Sequence, residues 1–353
     1  MNLLKKLVFI LPAVLIIFSS RGTAQVQDSS IQKIVNKYAA SGDLHGAVLI
    51  AKDGKEVFRT AFGTADYEWD IPNKVDTKFR IYSMSKQFTA MLVMQLVEAG
   101  KIDLQKTIAD YLPYYRIDTG PEITIHQLLT HTHGIAEGYD KLPPFLIFDQ
   151  TKDLVRRYFS NKLDFEPGSE FRYSGLLGYT ILAAVIEKVS GKSYREVLKE
   201  NILDPLDMKN SAYLDYRSLI KNKAADYNRN GEKIEHRIQA YHVNAQGASC
   251  LVSTVNDLLL WDQALYTDKL LADEYKELIF IPHVKQHAPY YYGYGWYLAD
   301  VKIGSETKRI QYHTGGGTSI IIRSIEDKHT VIMLNNFPSN RLYAIGLEIL
   351  KNM

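Results

Sequence analysis

Strand signals stand at the two ends of this chain, and helical signals fill the space between them. Near the start, residues 46 to 63 read GAVLIAKDGKEVFRTAFG, two β-rich runs flanking Asp53-Gly54, a strong hairpin turn. Strand signals return late, in YGYGWYLAD (292–300), KRIQYHTGG (308–316), TSIIIRSIE (318–326) and HTVIMLNN (329–336). Ile31 to Ala40 fits a helix before the first hairpin, and Ser339 to Lys351 fits a last one. Between about 105 and 280 the chain reads as helix and loop, with GYTILAAVIEKVSG (178–191) and Asp257 to Leu265 at helical spacing. The economical packing is an α+β fold. One antiparallel sheet is built from both chain ends and flanked by helices, with a mainly helical insertion covering it. A site would then lie between the two regions.

With 353 residues, 46% of them hydrophobic, the chain can bury a large core. No repeat or low-complexity linker divides it, so residues 25–353 are expected to form one domain. Residues 1–24 read as an export signal. Lys5 and Lys6 precede an apolar run from Leu7 to Phe18, and small residues lead to a cleavage position after Ala24. The run of about 12 residues is short of the roughly 20 that span a bilayer; the alternative is an uncleaved anchor. Cleavage takes Lys5, Lys6 and Arg21 and no acidic residue, so Lys+Arg falls from 42 to 39 against 40 Asp+Glu, and the formal charge from +2 to −1. No polybasic patch for nucleic acid remains. Cys250 is the single cysteine, which excludes an intramolecular disulfide. The expected location is periplasmic or secreted, without stable membrane insertion.

Three short stretches carry candidate chemistry. In IYSMSKQFTA (81–90), Ser83 and Lys86 stand three apart at the head of an apolar run and share a helix face. Desolvation disfavours a charged amine, so a buried Lys86 can take the proton of the Ser83 hydroxyl and make it a nucleophile. A capping serine beside a snorkelling lysine is the bland alternative. In FRYSGLLGY (171–179), Tyr173 projects from a loop before a helix, where its phenol can move protons with Lys86. In HTGGG (313–317), Gly315 and Gly316 permit close approach of the backbone, and an amide there can form an oxyanion hole with the amide of Ser83. His313 and Thr314 offer contacts to a substrate carboxylate or a proton path.

In this order, SMSK, YSG and HTG resemble the Ser-x-x-Lys, Tyr-x-Asn and Lys/His-Thr-Gly elements of penicillin-recognising serine hydrolases. The nearest branch resembles class C β-lactamases, D-alanyl-D-alanine carboxypeptidases and related esterases. ITIHQLLTHTHGI (123–135), GASCLVSTVNDLLLW (247–261) and YGYGW (292–296) are similar to three further family segments, so the resemblance runs from about residue 31 to the end. It implies an acyl-enzyme on Ser83, with Lys86 and Tyr173 as a coupled base and the amides of Ser83 and Gly316 as oxyanion hole. His313, Thr314 and Gly315 would line the strand edge where substrate lies. The implied substrate is a small molecule or peptide with an ester, D-amino acid peptide or β-lactam bond. The rival readings are a β-lactamase proper and a catalytically silent binder of cell-wall peptides.

Two departures stand out. Gly175 occupies the position of the family asparagine, which orients the lysine and a substrate amide, and one residue is inserted before Gly178. His133 replaces a usual serine. His126, His131 and His133 invite a metal reading, but the resemblance places them in a structural segment and no acidic ligand is near in sequence. No metal and no cofactor are expected.

Overall fold

The computed structural model describes residues 29–138, 150–214, 217–237 and 246–353. The expected signal at 1–24 lies outside them. The two chain ends meet in one antiparallel sheet of eight strands: β1 (Gly46–Lys52), β2 (Lys55–Ala61), β3 (Val284–His287), β4 (Tyr290–Tyr292), β5 (Tyr297–Ile303), β6 (Glu306–Gly315), β7 (Ser319–Ser324) and β8 (His329–Asn335), in the order β3-β4-β5-β6-β7-β8-β1-β2. Strand β1 joins the halves by pairing with β8 from Gly46↔Asn335 to Lys52↔His329. The β1–β2 hairpin turns at Asp53 and Gly54, both left-handed (φ 50° and 72°), as an Asp-Gly turn of the type I′ class requires.

Side chains alternate across this sheet, and the chain covers both faces. Val48, Ile50, Ile320, Ile322, Val331 and Met333 meet helices α1 (Ser29–Ala40) and α5 (Leu342–Leu350). Ala47, Leu49, Ile321, Ile332 and Leu334 face the opposite core, which holds α2 (Ser85–Glu98), α3 (Leu177–Ser190) and α4 (Val255–Ala264). Helix α2 is the buried centre: among its residues only Gln95, Val97 and Glu98 escape full burial. It ends at Gly100, whose φ of 66° supplies the left-handed stop.

Two expectations need correction. Strands are not confined to the ends of the chain. Phe79–Arg80, Leu251–Ser253 and Ala212–Tyr213 form a small sheet, Tyr227–Asn230 pairs with Lys233–His236, and Thr64–Asp66 pairs with Ile71–Pro72. The run 292–300 is not one strand either. It breaks at Gly293–Trp296, between β4 and β5, where the amide of Gly293 donates to the carbonyl of Trp296 at 2.8 Å.

Candidate active site

The small internal sheet aims the candidate nucleophile. Phe79 and Arg80 pair with Ser253 and Val252, and the Ile81 amide extends the ladder to the Leu251 carbonyl at 3.0 Å. The chain then reverses through Tyr82, whose φ of 47° is sparsely populated for a bulky residue and costs on the order of 1–3 kcal/mol. A single 3-10 turn, Tyr82–Met84, follows and leads directly into α2. Ser83 therefore sits on the turn, and Lys86 sits in the first turn of the helix proper, fully buried.

Burial lowers the Lys86 amine to a pKa of about 7. Its Nζ has three oxygen neighbours: the Gly175 carbonyl at 2.7 Å, the Ala248 carbonyl at 3.2 Å and Ser83 Oγ at 3.2 Å. A neutral amine has two hydrogens and one lone pair. Two carbonyls accept the hydrogens, which leaves the lone pair for the Ser83 hydroxyl. From sequence Gly175 reads as a loss, because it carries no asparagine side chain. Its backbone carbonyl nonetheless holds the lysine. No sequence motif points to Ala248. A backbone acceptor has no residue-type signature, so neither contact was visible in the motif.

Tyr173 lies beside this amine, with its ring centroid 5.1 Å from Lys86 Nζ, and it stacks on Tyr297 at 6.0 Å. The end of β6 closes the other side. Gly315 and Ser319 flank the backbone of Ile81: Ser319 Oγ donates to the Ile81 carbonyl at 2.9 Å, and a Cβ on Gly315 would overlap that same oxygen. A Cβ on Gly316 would press into the Tyr82 ring at 2.8 Å, at a left-handed φ of 58°. Both glycines are thus required for the strand end to reach residues 81–83. Gly315→Ala should lower stability by about 1–3 kcal/mol through overpacking against rigid backbone. A denaturant melt of that variant beside wild type checks this; an unchanged midpoint would contradict it.

Among the described residues, no strand pairs with one edge of β6 at this point, which leaves that edge open. On the β7 side His313, Thr314 and Gly315 pair with Ile321, Ile320 and Ser319, whereas pairing with β5 stops at Tyr312↔Tyr297 because the chain turns away at Gly293–Trp296. His313 itself does not face solvent. It is 1% exposed, burial lowers it to a pKa of about 3, Nδ1 lies 2.7 Å from the Thr314 carbonyl and Nε2 lies 3.4 Å from the Tyr292 hydroxyl. Both ring nitrogens are thus engaged within the protein, and burial favours the neutral ring. The open edge at Thr314 and Gly315 is backbone.

The three clustered histidines have separate surroundings. His126 Nδ1 meets the Tyr294 hydroxyl at 2.8 Å, His131 is buried against Tyr173 and Tyr292, and His133 Nδ1 accepts from the Ile135 amide at 3.1 Å. Among the described residues no group of three or more metal-ligating side chains converges.

A serine at a strained turn, a buried lysine beside it and a glycine-lined strand end define a serine hydrolase of the penicillin-recognising class. The chain belongs to the Beta-lactamase family, whose model matches residues 31–348. It is 29% identical over 331 residues to Penicillin-binding protein 4* of Bacillus subtilis, covering 87% of this chain and 71% of that protein. It is 26% identical over 324 residues to a Teichoic acid D-alanine hydrolase of Staphylococcus aureus, covering 90% and 78%. The structure of a penicillin binding protein from Bacillus halodurans superposes with a TM-score of 0.77 at 26% identity, over 91% of this chain and 97% of that one. The chain spans as little as 63% of the length of other relatives that it matches. No helix among the described residues is long and apolar enough to cross a membrane.

Proposed function

We propose that this chain is an exported hydrolase that cleaves an ester or a D-amino acid amide or peptide through an acyl-enzyme on Ser83. The observation that carries this reading is the setting of Lys86. A buried amine, lowered to about 7 and fixed by two carbonyls, directs its remaining valence at Ser83 Oγ.

In the proposed cycle, Ser83 Oγ attacks the substrate carbonyl carbon and its proton passes to the Lys86–Tyr173 pair, which titrates as a unit. The amides of Ser83 and Gly316 hold the oxyanion. The carbon–leaving-group bond breaks as the pair returns the proton to the departing oxygen or nitrogen. Water then attacks the Ser83 ester carbonyl and gives one proton to the pair; the carbon–Oγ bond breaks as the pair returns that proton to Ser83 Oγ, which frees the carboxylic acid and restores the serine and the base. Substrate lies along the open edge at Thr314 and Gly315. Residues 1–24 act as a cleaved signal, which places the enzyme in the periplasm or outside the cell, where cell-wall D-alanine esters and peptides occur. The names of two relatives, a penicillin-binding protein and a teichoic acid D-alanine hydrolase, support this substrate class.

Gly175 separates the substrates. Its carbonyl supplies the contact to Lys86, yet no side chain stands there to hold a substrate amide. An amide side chain offers two donors and one acceptor. One such bond to a charged group is worth ~1.5–3 kcal/mol, so its absence from deacylation slows turnover roughly 10- to 100-fold. Esters depend less on that contact. Mature protein assayed on chromogenic esters, D-amino acid peptides and a chromogenic cephalosporin should therefore favour the first two. Gly175→Asn should raise cephalosporin kcat/KM more than ester kcat/KM. A wild type that turns over the cephalosporin fastest would overturn the preference.

A further inference from the structure

His131 grips the loop that carries Tyr173 from both sides. Its carbonyl accepts the Arg172 amide at 3.0 Å, and its ring Nδ1 accepts the Ser174 amide at 3.2 Å. Its ring lies against Tyr173 at a centroid distance of 4.5 Å. The residue adopts φ 57°, a left-handed conformation that histidine enters more readily than most residues. It is fully buried, and burial holds it well below the ordinary imidazole pKa.

The direction of the bonds beyond His131 follows from that first acceptor. A neutral imidazole has one donor and one acceptor nitrogen. With Nδ1 accepting from Ser174, the proton sits on Nε2, which donates to the Tyr292 hydroxyl at 3.2 Å. That hydroxyl then has its own hydrogen to give, and His313 Nε2 lies 3.4 Å away. His313 Nδ1–H donates in turn to the Thr314 carbonyl at 2.7 Å. Tyr179, whose own hydroxyl donates to the Leu129 carbonyl at 2.9 Å, also hydrogen-bonds Tyr292, so its oxygen competes with His313 Nε2 for the Tyr292 hydrogen; His313 Nε2, left as an acceptor by the Nδ1–H bond to Thr314, draws that hydrogen into the relay. All three relay members are fully or nearly fully buried.

We infer that His131, Tyr292 and His313 form one directional hydrogen-bond relay that fixes the Tyr173–Gly175 loop relative to the substrate edge of β6. These are positioning residues for the reaction proposed above, and the inference rests on that reading. The loop presents Tyr173 and the Gly175 carbonyl to Lys86; the strand presents Thr314 to Gly316. The relay joins these two walls of the cleft and sets their separation. It explains why a histidine in the third motif works while buried and uncharged: its task is to bridge Tyr292 to the Thr314 carbonyl.

Long-range 15N–1H correlation spectra of the 15N-histidine-labelled protein read the tautomers directly, with His131→Asn and His313→Asn assigning the signals. His131 should carry its proton on Nε2 and His313 on Nδ1, and Tyr292→Phe should shift both. The opposite tautomer at either ring, or a Tyr292→Phe spectrum unchanged at His313, would overturn the relay. Kinetics test the positioning role. Asparagine at 131 tolerates the left-handed backbone and keeps an acceptor for Ser174 but cannot donate to Tyr292. His131→Asn and Tyr292→Phe should each lower kcat/KM about 3- to 10-fold, the scale of one hydrogen bond. The double variant should lose no more than either alone. Additive losses, or full activity in both single variants, would refute the positioning role. The spectra need no activity, so loss of the acyl-enzyme reading would leave the relay test intact, and loss of the relay would leave labelling of Ser83 intact.

Discussion

Ser83→Ala should abolish turnover, lowering kcat by about 10⁴- to 10⁶-fold, the range seen when a serine nucleophile is removed from a hydrolase. Folding should survive, because the Ser83 hydroxyl makes its hydrogen bond to Lys86 and carries no core packing. The substitution even relieves the lysine of one neighbour. Initial rates on the best ester substrate, beside a thermal melt of both proteins, separate a lost nucleophile from a lost fold. Residual activity within about 100-fold of wild type would place the nucleophile elsewhere.

The second large effect belongs to Lys86, and it has a pH signature. Lys86→Met keeps the apolar stem and removes the base, so kcat/KM should fall about 10²- to 10⁴-fold, the usual contribution of a positioned general base. In wild type, burial lowers the amine from 10.5 to about 7. The Lys86–Tyr173 pair acts as base in the state with a neutral amine, so kcat/KM should rise with pH as the pair loses its proton near about 7 and level off above it. Stability should move in the same direction. Between about 7 and 10.5 the unfolded chain binds a proton at this lysine that the folded chain does not, so stability rises with pH across that window. Lys86→Met should remove both trends. A flat kcat/KM profile between pH 6 and 8 in wild type would mean that the resting lysine is charged and that Tyr173 takes the proton.

The scaffold around these residues was legible where the sequence carries a strong period. The continuous apolar run from Ala47 to Ala51 marked a β-rich segment, which the structure buries on both faces of the sheet, and Asp53-Gly54 specified the turn after it. The joining of the two chain ends followed from where those runs fall. The short strands Phe79–Arg80, Ala212–Tyr213 and Leu251–Ser253 were not legible because two or three residues hold no period, and their partners lie far along the chain, Phe79 against Ser253 and Ala212 against Val252. Those strands nonetheless aim Ser83. At the site, Ser83, Lys86 and the two glycines were legible because chemistry and close approach demand those residue types. The Gly175 and Ala248 carbonyls were not, since any residue supplies a carbonyl. The burial of His313 was not legible either, since it depends on Tyr173, Tyr292 and Tyr297, which only the folded chain brings to it.

The central claim is a covalent intermediate on Ser83, and intact mass spectrometry tests it most directly. Mature protein treated with a fluorophosphonate should gain one adduct mass, mapped by digestion to the peptide that contains Ser83. Labelling should be faster at pH 8 than at pH 6, and Ser83→Ala should stay unlabelled. An adduct that persists in Ser83→Ala, or a wild type that takes none while folded, would contradict the account.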